Sequence, residues 1–213
     1  MAGISTQWLV ERLQWLGARE YSIASLPMDG RMELLVRKAV KEDGSLGLGS
    51  GWLTDGCAVG GTVSVRLRPN PNFHAPAAGP QILIGAGTGM AGLRVHLKQR
   101  ARENAREAWL LFGERGPGDL YYGGEIEGWR RDGTLARTDL VFSRAGGPRR
   151  YVQHLVTESA SDVRGWVLEK SATILVCGGI AMAGDVAAVL AAIVGEETLE
   201  AMAQDGRYRR DIY

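Results

Sequence analysis

The stretch Gln81–Leu97, QILIGAGTGMAGLRVHL, joins three sequence patterns. It begins with the apolar run Ile82-Leu83-Ile84, passes through the glycine-rich segment Gly85-Ala86-Gly87-Thr88-Gly89, and continues with apolar residues at helical spacing, Met90, Leu93 and Leu97. This order predicts a strand, a tight turn and a helix. Such a turn directs free backbone N–H groups and the positive end of a helix dipole at one point, and its glycines allow a pyrophosphate to come close.

The pattern Gly87-x-Gly89-x-x-Gly92 matches the dinucleotide-binding fingerprint. In a chain with 30 glycines the match alone is weak evidence, and a plain strand-to-helix turn is an alternative. The apolar strand before the turn and the alternating elements after it favour nucleotide binding.

The chain after this turn alternates strand-like and helix-like segments. Expected strands are 108–113, 135–143, 172–177 and 208–213, and expected helices are 120–131, 151–169 and 182–194. The fold class is therefore α/β, with a five-stranded, parallel, doubly wound sheet in a domain of residues 77–213. Ligands bind such sheets at the carboxyl ends of the strands, so the candidate turns are 85–89, 113–115, 143–150 and 177–179.

Residues 1–76 have antiparallel β character. Three β-like runs, 19–25, 32–40 and 62–68, follow an amphipathic helix predicted at 7–16, whose apolar side we interpret as core packing. Segment 47–53 is either a loop leading into a short helix or a helix N-terminus facing a phosphate. The proline-rich connector 69–76 predicts a domain boundary, which gives domains 1–76 and 77–213.

Composition excludes several functions. With 25 basic and 24 acidic residues the chain has no field that would attract nucleic acid. Its two cysteines form no disulfide framework, and no Cys/His spacing suits zinc, so we expect no metal site. Segment 181–194 is too short to span a bilayer and no secretory signal is evident, so we expect a soluble, cytoplasmic protein that meets a membrane only through a partner.

Two candidate sites imply different cofactors. The loop 143–151 carries Ser143, three arginines and Tyr151, which suits the 2′-phosphate and the purine of NADP. A generic Rossmann interpretation instead selects Glu114, after the second strand, as a ribose ligand and predicts NAD. From the residues alone both interpretations stay open, as does an ordinary solvated basic loop.

Seven motifs occur in the order typical of ferredoxin-NADP reductase-like flavoproteins. They are Arg19-Glu20-Tyr21-Ser22, Gly47-Leu48-Gly49-Ser50, Ile84-Gly85-Ala86-Gly87-Thr88-Gly89, Phe112-Gly113-Glu114-Arg115, Ser143-Arg144 with Tyr151-Val152-Gln153, Val176-Cys177-Gly178, and Arg207-Tyr208-Arg209-Arg210-Asp211-Ile212-Tyr213. From Arg19 onward the chain resembles this family, in particular the reductase module of the sulfite reductase flavoprotein subunit and bacterial reductases fused to flavodoxin and PepSY segments. It departs from the family pattern at Glu20, Ala91-Gly92-Leu93 and Gly179.

The resemblance implies two cofactors, FAD and NADP(H), and a role for each motif. FAD would be held by Arg19, Tyr21, Ser22, Gly47, Leu48, Gly49 and Ser50. NADP(H) would be held by Gly87, Thr88, Gly89, Ser143, Arg144, Arg149, Tyr151, Gln153, Cys177 and Gly178, which decides against Glu114. The implied catalytic residues are Ser22, Cys177, Asp211 and Tyr213, the last stacking on the flavin until nicotinamide displaces it.

The implied activity is hydride transfer from NADPH to FAD, followed by electron transfer to a separate acceptor such as a flavodoxin-like protein. The alternative is a non-catalytic NADP-binding module. Relatives place several barrel strands before the Arg-x-Tyr-Ser motif, so residues 1–76 are expected to form a truncated FAD-binding β-barrel. Its open edge would be covered by the N-terminal helix, by a second copy of the chain or by a partner subunit.

Overall fold

The computed structural model describes residues 6–12 and 17–213. The helices are α1 (Thr6–Arg12), α2 (Leu48–Gly51), α3 (Met90–Arg102), α4 (Gly123–Arg131), α5 (Val152–Glu158), α6 (Ala160–Leu168), α7 (Ile180–Val194) and α8 (Glu196–Gln204). The strands are β1 (Gln81–Ala86), β2 (Ala108–Glu114), β3 (Leu135–Phe142), β4 (Thr173–Gly178) and β5 (Tyr208–Ile212). No helix in the described ranges is both long enough and apolar enough to cross a membrane.

The five strands form one parallel sheet in the order β3-β2-β1-β4-β5. The α/β prediction is therefore confirmed. Two hydrophobic clusters cover the sheet. One contains side chains from α5, α6, α7 and α8, and the other contains side chains from α3 and α4 together with Phe73. Strand order reverses between β1 and β4, which is where such sheets bind ligands.

The central strands are buried because apolar residues fill them on both faces. Every residue from Ala108 to Glu114 is buried, and so are the first five residues of β1. In β1, Ile82 and Ile84 point into one cluster and Leu83 into the other, as the period of two along a strand requires. A continuous apolar run in the sequence thus indicates a strand that is covered on both faces.

Two helix predictions differ from the structure in detail. The helix expected over residues 151–169 is two helices, α5 and α6, which meet at Ser159. Helix α8 was not predicted, although its buried residues Leu199 and Met202 stand three apart, as one helix face requires. Both errors concern boundaries and short elements and leave the sheet order unaffected.

The three strands expected before residue 70 are wrong as continuous elements. In their place the described chain has two isolated antiparallel bridges, Ile23 with Leu34 and Val40 with Leu46, and residues 62–68 form no strand. A strand needs a hydrogen-bonding partner along its length, and alternating apolar residues cannot supply one. Segment 47–53 does lead into a short helix, α2.

The predicted helix 7–16 is observed as α1, and its residues 13–16 lie outside the described part. Its Trp8 is 44% exposed, so the structure gives no support for packing of that side chain in the core. The division into domains at residue 76 and the truncated barrel stay predictions.

Candidate functional site

A cleft of about 600 Å³ opens at the carboxyl ends of β1, β2 and β4. Its lining comes mainly from the turns that follow these strands and from the loop before α5, with further residues from α7, from the end of the chain and, at Arg37, from the segment before the sheet. The lining residues are Arg37, Ala86, Gly87, Thr88, Gly113, Glu114, Arg115, Ser143, Arg144, Arg149, Arg150, Tyr151, Val152, Gln153, Gly179, Ala181, Met182, Asp185 and Tyr213. The cleft therefore lies where the reversal of strand order leaves room for a ligand.

The glycine turn forms the floor of this cleft. Glycine is needed there because larger residues would be strained or would collide with β4. Gly87 has a φ of 59°, which favours glycine, and a Cβ on Gly89 would lie 2.0 Å from the carbonyl oxygen of Cys177. Helix α3 begins at the next residue, Met90. The beginning of α3 therefore adjoins the cleft floor, and the N-terminus of a helix is a position that suits an anion.

One wall of the cleft is rich in guanidinium groups. Arg115, Arg144 and Arg149 are exposed, and within residues 6–12 and 17–213 their side chains have no hydrogen-bond or ion-pair partner. Arg150 differs, because it pairs with Glu158. The backbone N–H of Arg144 donates to the carbonyl of Arg115 (2.7 Å), so the two loops that carry these arginines are joined. Unpaired guanidinium groups in a cleft are suited to bind phosphate.

Three further predicted residues contribute to this wall. Tyr151, 41% exposed, precedes α5 and offers an aromatic face. Gln153 donates from Nε2 to Asp185 Oδ2 on α7 (2.9 Å). Ser143 lies in the lining at the end of β3.

Glu114 also lines the cleft, but both of its carboxylate oxygens are occupied. Oε2 accepts from Arg37 (2.6 Å) and Oε1 accepts from the backbone N–H of Arg115 (2.7 Å). The Glu114 side chain is only 1% exposed. At this burial the carboxylate has almost no surface for a ribose hydroxyl, so the NAD interpretation based on Glu114 loses its support.

A second cluster lies beyond β4, around Asp211 of β5. Asp211 Oδ2 accepts from Ser22 Oγ (2.6 Å) and lies 3.7 Å from Cys177 Sγ, while Oδ1 accepts from Asn70 Nδ2 (3.0 Å). Burial, with the neighbouring Asp211 charge as a second cause, raises the pKa of the Cys177 thiol. Three residues expected to act together, Ser22, Cys177 and Asp211, therefore meet, and Cys177 is a neutral thiol at physiological pH.

Tyr213 joins this cluster to the cleft. Its hydroxyl shares a hydrogen bond with Thr88 Oγ1 (2.8 Å), and its backbone N–H donates to the carbonyl of Gly178 (3.2 Å). Partial burial raises the pKa of Tyr213 to about 12, so its phenol stays protonated. Tyr213, 47% exposed, lines the cleft and lies close enough to Cys177 and Asp211 for these two titratable groups to affect its phenol.

Comparison with known proteins agrees with this geometry. The family model described as "Oxidoreductase NAD-binding domain" matches residues 83–188, which include the glycine turn, the basic loop and Cys177. The chain is also 34% identical to the sulfite reductase [NADPH] flavoprotein alpha-component of Mannheimia succiniciproducens, with all of this chain and 39% of that protein covered. These matches support a ferredoxin-NADP reductase-like reductase module.

Other relatives carry the same name. The alpha-component of Neisseria meningitidis serogroup B is 35% identical over all of this chain and 38% of its own length. That of Yersinia enterocolitica is 34% identical over 99% of this chain and 38% of its own length. The chain thus spans less than two fifths of the length of these curated relatives.

The residues that this family would use for FAD lie apart from the cleft. The side chains of Arg19 and Tyr21 lie against α2, and Arg19 is exposed. A Cβ on Gly49 of α2 would be 3.0 Å from Arg19 Cγ and 3.3 Å from the Tyr21 hydroxyl. Gly47 precedes α2, Leu48 is 60% exposed, and Ser50 Oγ accepts from the N–H of Ala39 (3.0 Å). Ser22 is the residue of this group that reaches the Asp211 cluster.

Sequence reasoning missed Arg37, Asn70 and Asp185 as residues of the site, and it included Arg115 only as part of the candidate turn 113–115. Arg37 gave one usable signal, since it interrupts the apolar run Leu34-Leu35-Val36 with a charge. Asn70 gave none, because nothing in a proline-rich connector indicates which strand it will meet. No group of three or more potential metal-ligating side chains occurs in the described parts of the chain.

Proposed function

We propose that this chain is an NADPH-dependent flavin reductase module that transfers hydride from NADPH to FAD. One observation carries the proposal: a phosphate-binding cleft with unpaired arginines adjoins, through Tyr213, a cluster that joins Ser22 to Cys177 and Asp211. A dinucleotide in the cleft would extend its far end toward that cluster. FAD, when bound beside Ser22, would supply the hydride acceptor.

The adenosine end of NADP(H) would lie against the guanidinium wall. Arg144 and Arg149, with the Ser143 hydroxyl, offer charge-assisted donors to a 2′-phosphate, and Tyr151 offers its ring face to adenine. Gln153, Cys177 and Gly178 complete the nucleotide-binding set. NADP is favoured over NAD because the carboxylate that would hold a free ribose hydroxyl, Glu114, is already bound to Arg37.

The pyrophosphate would rest on the glycine turn. Gly87, Thr88 and Gly89 together with the start of α3 supply backbone N–H groups. Arg37 would donate from Nη1, because its Nη2 and Nε are held by Glu114 and by the Tyr121 hydroxyl (3.2 Å), while Nη1 lies 3.6 Å from the position of a Cβ on Gly87. A guanidinium fixed in this way needs little reorganisation on binding.

Hydride transfer requires orientation and exclusion of water more than acid–base chemistry. The neutral Cys177 thiol and the Asp211 carboxylate would border the nicotinamide, and Ser22 would connect them with the flavin edge. Tyr213 would leave its position when nicotinamide enters. Because one side-chain hydrogen bond, to Thr88, and a few backbone contacts hold it, we expect this motion to be easy.

The FAD site would use Arg19 and Tyr21 above α2, with Gly47, Leu48, Gly49 and Ser50 at its beginning. Gly49 fits this role, because a side chain there would press on Arg19 and Tyr21. We also propose that residues 1–76 belong to an FAD-binding barrel, and that the module works in the cytoplasm. Electrons would leave for a separate acceptor protein, for example a flavodoxin-like one.

The test is anaerobic addition of NADPH to the FAD-reconstituted chain. We expect the visible flavin absorbance to bleach, and NADH to act more slowly. A chain that binds both FAD and NADPH and keeps its flavin oxidised would contradict the proposal.

One observation favours a second candidate, a non-catalytic NADP-binding module. Residues 17–76 contain no extended strand, whereas every lining residue of the cleft except Arg37 lies in the sheet domain. A colourless sample that takes up no FAD and still binds NADP⁺ would support this candidate.

A further inference from the structure

Resting on the proposed function, we infer that Asn70 is a positioning residue for hydride transfer, acting through the Asp211 carboxylate. Asn70 lies in the connector between residues 17–68 and the sheet domain. Its amide Nδ2 donates to Asp211 Oδ1 (3.0 Å), on the opposite side of the carboxylate from Ser22.

The contact is set by an anchored backbone. The carbonyl of Pro71 accepts from Arg209 (3.2 Å), and the side chain of Phe73 is 7% exposed and packs edge-on against His96. These neighbours hold the connector against β5 and α3, so Asn70 is delivered to Asp211 although its own side chain is exposed.

Asn70 matters for the orientation of the Asp211 carboxylate because no cation pairs with that carboxylate among the described residues. Asp211 forms no ion pair within the described residues, so neutral donors alone fix the carboxylate. Ser22 holds Oδ2, the oxygen that faces Cys177, and Asn70 holds Oδ1. With both donors present the carboxylate plane has one orientation. Without Asn70 the group can rotate about its last bond and take Oδ2 away from Cys177.

The first experiment needs no cofactor. In the isotopically labelled chain, the side-chain amide resonances of Asn70 should be displaced and slow to exchange, because one N–H is bound to a carboxylate. Asn72, exposed two residues later and without a side-chain partner among the described residues, is the internal control. Asp211→Ala should move the Asn70 resonances and leave those of Asn72 in place. If the Asn70 resonances stay in place in Asp211→Ala, the proposed hydrogen bond between Asn70 and Asp211 is contradicted.

The second experiment measures the consequence, in single turnovers of the FAD-loaded chain with NADPH. Asn70→Ala should slow flavin reduction by about three- to tenfold, the range that the net contribution of one ordinary hydrogen bond implies. The NADP⁺ dissociation constant should change less than about twofold, since Asn70 lies outside the cleft lining. Asn72→Ala should leave both quantities unchanged.

Asn70→Asp separates positioning from a purely structural role. Two facing carboxylates repel at neutral pH, but at acid pH a proton shared between them restores a donor toward Asp211. Flavin reduction by this variant should therefore recover as pH falls, while Asn70→Ala stays slow. The inference would be overturned if the wild type reduces flavin and the Asn70→Ala variant does so as fast as the Asn72→Ala variant. A wild type that cannot reduce flavin would instead overturn the proposed function, and this inference with it.

Discussion

At the residue scale, the site depends on which charges are already paired. Glu114 and Arg37 neutralise each other, whereas Arg115, Arg144 and Arg149 have no partner among the described residues. Sequence could indicate the basic loop, because three arginines beside a strand end are visible in the chain. It could not show that Glu114 is unavailable, because its partner stands 77 positions away.

The first prediction concerns Arg37→Ala. The lost guanidinium should weaken NADP⁺ and NAD⁺ binding equally, by about tenfold or more, because both nucleotides carry the pyrophosphate that Arg37 would contact. Calorimetric titration with the two nucleotides measures this. Arg66→Ala, an exposed change in the same part of the chain, is the control. A loss confined to NADP⁺ would place Arg37 at the 2′-phosphate instead.

At the scale of elements, the sheet was predictable and the segment before it was not. Apolar runs such as Ile82-Leu83-Ile84 determine buried parallel strands, since residues on both faces must be apolar. The alternating run at 62–68 satisfies a strand pattern equally well, yet it has no partner strand in the described chain. Strand formation depends on distant partners, and these are not encoded locally.

The second prediction concerns the attachment of residues 24–33 to α3. Arg94, 7% exposed, pairs with Glu33 and with Glu125 (2.7 Å), and Arg94→Met would leave Glu125 unpaired and Glu33 paired with the exposed Arg31 alone. We expect a loss of about 2–3 kcal/mol in the free energy of unfolding, below the full cost of a buried pair because Glu125 is 37% exposed. Urea denaturation measures it.

Arg31→Met is the matched control, because Arg31 pairs with the same Glu33 at 74% exposure. Exposed pairs contribute little, so this variant should unfold at the wild-type urea concentration. Equal destabilisation by the two variants would mean that burial of Arg94 is not the cause.

The third prediction concerns His96, whose Nε2–H donates to the carbonyl of Phe73 (2.8 Å). Burial lowers the pKa of His96 from 6.5 to about 4. The unfolded chain therefore takes up a proton at higher pH than the folded chain. Stability contributed by neutral His96 is complete above pH 6.5 and is lost as pH falls toward 4, by on the order of 3 kcal/mol in total.

Urea denaturation at several pH values checks this. His96→Gln keeps a donor for Phe73 and does not titrate, so its stability should fall less than that of wild type between pH 7 and pH 4. Parallel losses in the two proteins would show that His96 is not responsible.

At the scale of the whole molecule, the site is assembled from three regions distant in sequence. Ser22 comes from the first part of the chain, Asn70 from the connector, and Cys177 and Asp211 from the sheet. The order of motifs, and not any single one, made the meeting of Ser22, Cys177 and Asp211 predictable through family resemblance. Helix α8 and the break at Ser159 were not predicted from the sequence. Neither of them changes the order of the strands.

The central claim is that one cleft of this chain recognises NADP(H) by its 2′-phosphate. Calorimetric titration of the chain with NADP⁺ and NAD⁺, repeated on Arg144→Ala and on the control Arg131→Ala, tests it most directly. We predict NADP⁺ to bind at least about tenfold more tightly, and Arg144→Ala to remove about 1.5–3 kcal/mol from NADP⁺ binding alone. Equal affinities for the two nucleotides in wild type, or equal losses in Arg144→Ala, would contradict the claim.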